Sequence, residues 1–126
     1  MGGAVSIKSV FIAGPPVPKA RPRVVNGRTY TPKRTKEYED RIGWAWREAN
    51  LLYAQPSSGR VAVSIEVFED KRVPQRMGDL DNYVKAALDA LNGIAWKDDS
   101  QVSGIDARIE RETPQSTCGL RVTVKS

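Results

Sequence analysis

The sequence predicts a single α/β domain, of the α+β kind, with a mixed sheet of about four strands and two helices. Two kinds of segment support this prediction: short β-branched runs that alternate with polar residues, and two longer runs with apolar residues at helical spacing. A length of 126 residues with 40% apolar content supplies one modest core and leaves no room for a second domain. We therefore expect residues 1–126 to form one domain.

The first half of the chain is expected to contain one strand, a basic arm and one helix. The strand covers residues 6–13. Repeated proline then excludes a helix from an irregular arm at about residues 15–34, in which Asn26-Gly27 is expected to form a tight turn. Thr35 is predicted to cap a helix that runs to about Tyr53 and packs one apolar face on the sheet.

The second half is expected to contain three strands and one helix. Valine and isoleucine alternate with small or polar residues over residues 61–67, which predicts a half-buried strand. Asp81 or Asn82 is expected to cap the second helix, which Asn92-Gly93 ends. The chain from about residue 101 to 125 then forms two further strands joined by a polar turn.

The composition indicates an anionic partner and narrows the chemistry. Lysine and arginine number 20 against 15 aspartates and glutamates, a formal net charge of +5 that favours nucleic acid as the partner. The absence of histidine excludes Ser-His-Asp and Cys-His catalysis and histidine-ligated zinc. No run of residues approaches the ~20 apolar residues of a membrane span, and we expect a cytoplasmic protein.

The basic residues are concentrated in two segments. From Lys19 to Lys36 every charged residue is basic, a bias that a solvated loop does not need, so we predict that this arm binds DNA phosphates. A smaller basic group stands before the acidic centre, where it would hold the DNA backbone close; an ordinary polar loop is the alternative. The predicted DNA-binding residues are Lys19, Arg21, Arg23, Arg28, Lys33 and Arg34 in the arm, and Lys71, Arg72 and Arg76 in the smaller group.

The acidic centre has the residue types of an oxygen-ligand metal site. Asp79 and Asp81 alternate just before the second helix, so in an extended segment both side chains face the same way. Asp98 and Asp99 follow the turn that ends this helix. Gathered carboxylates repel one another, and a hard cation such as Mg²⁺ stabilises such a cluster. Lys85 lies one helical turn from Asp81 and would stabilise charge that develops on a phosphate.

A structural role for these same residues stays open at this stage. In that interpretation the aspartates before the helix cap it, and Asp98 and Asp99 belong to an ordinary turn. Lys85 would then form only a surface salt bridge with Asp81. Asp89, on the same helical stripe, is better explained as a solvated or lysine-paired residue than as a ligand.

The motifs around the acidic centre resemble those of the RusA family of Holliday junction resolvases. Three stretches carry the resemblance: Asp79-Leu80-Asp81-Asn82 with Lys85, Asp89-Ala90-Leu91, and Asp98-Asp99-Ser100-Gln101-Val102. The arm is also similar, from Gly14-Pro15-Pro16 through Lys19-Ala20-Arg21-Pro22-Arg23 to Tyr30-Thr31-Pro32. The resemblance covers most of the chain. One departure is that the arginine-rich run that can precede the motif is reduced here to Lys71, Arg72 and Arg76.

The resemblance implies a small homodimeric endonuclease, often encoded by phages and prophages, that makes paired, Mg²⁺-dependent cuts in four-way DNA junctions during recombination and repair. Carried over by position, Asp79, Asp81 and Asp99 would be the catalytic metal-binding carboxylates and Lys85 the essential lysine. Asp98 is the weaker candidate of the acidic pair. Two alternatives stay open: a nuclease selective for other branched DNA, such as flaps and forks, and a non-catalytic DNA-binding or assembly module.

Overall fold

The computed structural model describes residues 6–20, 23–50, 55–72 and 79–126 as a mixed α+β fold, which confirms the predicted fold class. The strands are β1 (Ile7–Ala13), β2 (Arg23–Val25), β3 (Arg28–Tyr30), β4 (Val61–Asp70), β5 (Val102–Thr113) and β6 (Gly119–Lys125). The helices are α1 (Lys33–Ala49) and α2 (Leu80–Leu91), and two short 3-10 helices cover Asp99–Gln101 and Gln115–Thr117.

The central sheet has the strand order β1-β6-β4-β5. It is mixed, as predicted, because β4 is parallel to β5 and antiparallel to β6, while β1 is antiparallel to β6. Parallel neighbours require a crossover, and α2 supplies the one between β4 and β5. The last two strands were expected from the sequence, but they are not neighbours, since β4 lies between them.

One face of this sheet is covered by the two helices. Alternate residues of β4 point into the core, where each is no more than 2% exposed: Val61, Val63, Ile65 and Val67. They belong to the same buried cluster as Ile42 of α1, Leu91 of α2 and Trp96. The half-buried strand predicted from the alternation is therefore confirmed, and it fixes α2 against β4 and β5.

The arm contains a small hairpin, in which β2 pairs with β3. Asn26 and Gly27 form its turn with positive φ angles of 52° and 77°, the backbone that a two-residue hairpin turn requires and that Asn-Gly adopts readily. The predicted turn is confirmed. The hairpin forms a two-stranded sheet of its own, separate from the central sheet.

The helix ends differ from the sequence expectation. Pro32, not Thr35, is the N-cap of α1, and the Thr35 hydroxyl instead accepts a hydrogen bond from the backbone N–H of Ala20 at 3.1 Å. The helix ends at Ala49, before the expected end, and Tyr53 itself lies outside the described residues. The backbone of Pro32 is still extended, with a ψ of 145°, and its carbonyl accepts the N–H of Lys36 at 3.1 Å, which starts the helix.

The second helix also begins earlier than expected and ends where predicted. Asp79 is its N-cap residue, so neither Asp81 nor Asn82 has that role. Asn92 is the C-cap, followed by Gly93 with a φ of 84°. Within the described ranges, no helix combines the length and the apolar character that a membrane crossing needs.

Candidate active site

The first turn of α2 presents two of the predicted carboxylates to solvent. Asp79 has an extended backbone and exposed position, and its side chain makes no capping hydrogen bond. Its backbone carbonyl accepts the N–H of Asn82 at 3.0 Å, which starts the helix. Asp81 follows in the first turn, with 69% of its side chain exposed. The positive end of the helix dipole favours negative charge at both positions.

Lys85 stands one turn further along the same exposed stripe. Its Nζ lies 4.0 Å from Asp81 Oδ2, at the limit of an ion pair, and 64% of its side chain is exposed. Such an exposed helical pair contributes only ~0.3–0.5 kcal/mol. The salt bridge of the structural alternative is therefore present but weak, and most of the Lys85 side chain stays exposed to solvent.

The neighbouring acids Asp98 and Asp99 have different surroundings. Asp98 caps the 3-10 helix: its Oδ2 accepts the N–H of Ser100 at 2.9 Å, and its own N–H donates to the side chain of Gln101 at 2.8 Å. The hydrogen bond from Ser100 holds the pKa of Asp98 below its usual range. Asp99 is exposed, and its Oδ1 accepts the indole N–H of the fully buried Trp96 at 2.8 Å.

The base of the arm is fastened beside α2. The backbone N–H of Lys19 donates to the carbonyl of Asn82 at 2.9 Å, and the next residue, Ala20, bonds to Thr35 of α1. The Lys19 ammonium lies 2.8 Å from both Glu39 and Asp89, so it joins α1 to α2. Burial alone would lower the pKa of Lys19, but the hydrogen bonds with these carboxylates outweigh it and raise that pKa.

The other predicted DNA-binding residues are placed in three ways. Arg28, Lys33 and Arg34 are exposed around the hairpin and the start of α1, with Lys33 only 3.6 Å from Glu37. Arg72 Nη2 lies 2.8 Å from Asp70 Oδ2 at the end of β4, beside the exposed Lys71. Arg23 is described only for its backbone, in β2, and Arg21 and Arg76 lie outside the described residues.

The comparison with known families gives one match. The sequence model of the family described as endodeoxyribonuclease RusA matches residues 13–125, nearly the whole chain. The chain belongs to the RusA family. A comparison with curated proteins gave no match. The family assignment makes the chain an endodeoxyribonuclease, a hydrolase that acts on DNA, of a kind that acts on branched junctions and generally depends on a divalent metal.

The three aspartates predicted as metal ligands have the donor chemistry that a hard divalent cation needs. Asp79, Asp81 and Asp99 are exposed carboxylates, and within the described part of the chain only Asp99 has an oxygen that accepts a hydrogen bond from a neutral side chain. Among the described residues, however, no three acidic or cysteine side chains are gathered closely enough to hold a metal ion. The donor set fits a cation such as Mg²⁺, and its assignment as a three-residue ligand set stays a prediction.

A buried polar network under α2 was missed by the sequence reasoning. Glu69, near the end of β4 and 5% exposed, accepts hydrogen bonds from the hydroxyl of Tyr83 and from Arg111 Nη1, the latter at 2.9 Å. Burial, followed by the hydrogen bond to Glu69, raises the pKa of Tyr83. Tyr83 lies four residues after Asp79, so this network fixes the turn that carries the exposed acids. No local pattern signals it, since its members come from three elements.

Proposed function

We propose that this RusA-family protein resolves four-way DNA junctions by paired, Mg²⁺-dependent hydrolysis of phosphodiester bonds, as a cytoplasmic homodimer that acts in DNA recombination and repair. The observation that carries the proposal is the first turn of α2. Asp79 and Asp81 are exposed there, on a rigid helix start, and the basic arm is fastened to the same turn through the Lys19–Asn82 hydrogen bond.

The metal-binding residues of the proposal are Asp79, Asp81 and Asp99. A bound Mg²⁺ would supply a polarised phosphate and a more acidic water. Lys85 has an accessible ammonium group on the same stripe as Asp81, and its role is to neutralise charge that develops on the phosphate oxygens. Trp96 holds one oxygen of Asp99 and leaves the other for a ligand.

Asp98 is left out of the proposed set of metal ligands because it caps the 3-10 helix. Its carboxylate and backbone N–H are both engaged in the capping box, whose partner Gln101 is in turn bonded to the carbonyls of Ser57 and Gly59 at 2.7 Å. Asp98 and Asp99 each have one carboxylate oxygen engaged, but Asp98 caps the 3-10 helix, whereas Asp99 is oriented by the indole of the fully buried Trp96. We therefore assign Asp99, not Asp98, as the functional member of the pair.

The homodimer is proposed from the symmetry of the substrate. A four-way junction offers two equivalent strands, and a two-fold dimer presents two equivalent sites to them. The oligomeric state is checked by analytical ultracentrifugation at micromolar concentration. A monomer that still cuts both strands of one junction would contradict the dimer.

The experiment that tests the function uses a labelled synthetic four-way junction beside a linear duplex of matched sequence, with Mg²⁺ or with EDTA. We expect paired nicks near the branch point that require Mg²⁺ and that disappear in the Asp81→Asn variant. Equal cutting of the duplex would indicate a general nuclease, and preferential cutting of flaps or forks would indicate a different branched substrate. Binding without cleavage would indicate a non-catalytic DNA-binding module.

A further inference from the structure

The β2–β3 hairpin has two chemically different faces. Opposite residues of an antiparallel pair share a face, and here Val25 pairs with Arg28 while Val24 pairs with Thr29. Tyr30 pairs with residue 23, two positions from Val25, and therefore belongs to the Val25 face. One face thus combines an aromatic ring, an arginine and an apolar side chain; the other carries Val24 and Thr29.

The aromatic face is open to solvent. Residues 24–30 are all exposed, with 45% of Tyr30 and 50% of Val25 accessible. Exposed aromatic and apolar side chains beside a guanidinium are typical of surfaces on which nucleic-acid bases stack. The surrounding segment contains no acidic residue from Lys19 to Lys36, so its charge suits the phosphates of DNA and repels the same basic arm of a second copy of the chain.

The hairpin is also held in the right place for this role. Both of its ends are fixed: Ala20 bonds to Thr35, and Pro32 begins α1. Lys19, just before the hairpin, bonds to Asn82 in the first turn of α2, next to Asp79 and Asp81. The stretch of chain before the hairpin is therefore anchored beside Asp79 and Asp81, the proposed metal ligands.

We propose that the face formed by Val25, Arg28 and Tyr30 binds the branch point of the junction, with the Tyr30 ring stacked on an exposed base and Arg28 on a neighbouring phosphate. This inference rests on the proposed function, because it takes branched DNA as the substrate. A branch point interrupts regular stacking, so a base there is exposed at lower cost than in a continuous duplex. The hairpin thereby supplies a preference for branched over linear DNA.

The test compares the two faces of the same hairpin. Dissociation constants for the four-way junction and the matched duplex are measured in EDTA over a range of salt concentrations. Tyr30→Ala is expected to weaken junction binding about tenfold and to leave duplex binding and the salt dependence unchanged. Arg28→Gln is expected to weaken both and to lower the slope of log K against log salt by about one.

Two further variants control for the fold of the hairpin. Val25→Thr and Val24→Thr keep a β-branched residue of similar size in β2, but they alter opposite faces. Val25→Thr is expected to weaken junction binding by about threefold and Val24→Thr to leave it unchanged. Circular dichroism checks that all variants are folded.

The outcomes separate this inference from the proposed function. If the wild type cuts junctions but Tyr30→Ala binds them as tightly, or if Val24→Thr weakens binding as much as Val25→Thr, the hairpin assignment is overturned and the function stands. A change in oligomeric state in Tyr30→Ala would also overturn it, because the face would then bind a second copy of the chain. A wild type that treats junction and duplex alike overturns the proposed function first.

Discussion

Two pairs of carboxylates lie on either side of the connection between β4 and α2, and their surroundings are opposite. Glu69 and Asp70 at the end of β4 are 5% and 2% exposed. Each has an arginine partner, since Glu69 accepts from Arg111 and Asp70 from Arg72. Asp79 and Asp81 at the start of α2 are exposed, and among the described residues only Asp81 has a cation nearby, Lys85 at 4.0 Å.

The difference separates carboxylates that stabilise the fold from carboxylates available to a ligand. The hydrogen bond with Arg72 holds the pKa of Asp70 below its usual range, so this carboxylate stays ionised and its charge is paired within the protein. A buried charge without such a partner would be strongly destabilising. Asp79 and Asp81 are instead exposed at the positive end of the helix dipole, and within the described ranges only the Lys85 ammonium, 4.0 Å away, lies near Asp81, which leaves both carboxylates available for an external cation.

The largest expected effect comes from removing an exposed carboxylate. Asp79→Asn should lower the rate of Mg²⁺-dependent junction cleavage by about 100-fold or more, because an amide is a poorer ligand for a hard cation. Its unfolding free energy should change by less than about 0.5 kcal/mol, since no described group depends on this side chain. Cleavage kinetics and urea unfolding measure the two quantities.

Asp98→Asn is the matched control for this prediction. It makes the same chemical change in an aspartate that forms a local cap, and asparagine caps as well as aspartate does. Both cleavage and stability should therefore stay close to wild type. A loss of cleavage in Asp98→Asn with a normal Asp99→Asn would reverse the assignment within the pair.

The second prediction concerns the buried carboxylate of Glu69 and the hydrogen bond that it accepts from Tyr83. Tyr83→Phe removes one hydrogen bond to the carboxylate of Glu69 and should lower the unfolding free energy by about 2 kcal/mol. Tyr30→Phe, at an exposed hydroxyl, should cost less than about 0.5 kcal/mol. Urea unfolding of both variants measures the difference. Equal values for the two would mean that the Glu69 network does not stabilise the fold.

The sequence predicted those features of the fold and of the candidate site that depend on neighbouring residues. The alternation of β4 and the turn at Asn26-Gly27 are decided by neighbouring residues, and both were predicted. The placement of Asp79 and Asp81 at the start of α2 also follows from local order, although the capping residue was wrong. For α1, the Thr35 hydroxyl bonds instead to Ala20, 15 residues earlier in the chain, a contact that local order does not show.

The remaining contacts could not be predicted because they join distant parts of the chain. Glu69 is 14 residues from Tyr83 and 42 from Arg111. Lys19 reaches Glu39 and Asp89 on two helices, which converts one predicted DNA-binding residue into a link between them in this structure. Its role in DNA binding stays a prediction.

The third prediction concerns Asp99, which is intermediate between the two groups because it is exposed but has one oxygen fixed by Trp96. Trp96→Phe keeps a buried aromatic ring and removes the indole N–H. We expect kcat to fall about tenfold and the Mg²⁺ concentration for half-maximal cleavage to rise, because the carboxylate loses its orientation. Single-turnover cleavage at several Mg²⁺ concentrations measures both.

Trp46→Phe is the matched control for this substitution. Trp46 is 5% exposed, and its indole nitrogen donates no hydrogen bond within the described residues. The Trp46→Phe variant should have a lower free energy of unfolding because its packing is reduced, but its cleavage rate should keep the wild-type dependence on Mg²⁺. If both variants shift the Mg²⁺ dependence equally, Trp96 acts through the core and does not position Asp99.

The smallest expected effect tests a half-buried carboxylate with an exposed partner, on the face of the sheet opposite the helices. Glu66 bonds to Arg108, whose side chain is 73% exposed, and this hydrogen bond holds the pKa of Glu66 below its usual range. A lowered folded-state pKa contributes stability above the unfolded-state pKa, and that contribution is lost as pH falls through the folded-state value. Glu66→Gln should therefore cost about 1 kcal/mol or less near neutral pH, and the difference from wild type should shrink at acid pH as the pH falls through the lowered folded-state pKa of Glu66. Urea unfolding at neutral and acid pH measures this difference. The control is Glu37→Gln, whose partner Lys33 is 89% exposed, and its free energy of unfolding is expected to match the wild type at both pH values. A cost that persisted at low pH would mean that Glu66 stabilises the sheet by packing, and pairing with arginine would then no longer distinguish the carboxylates that stabilise this fold from those available to a ligand.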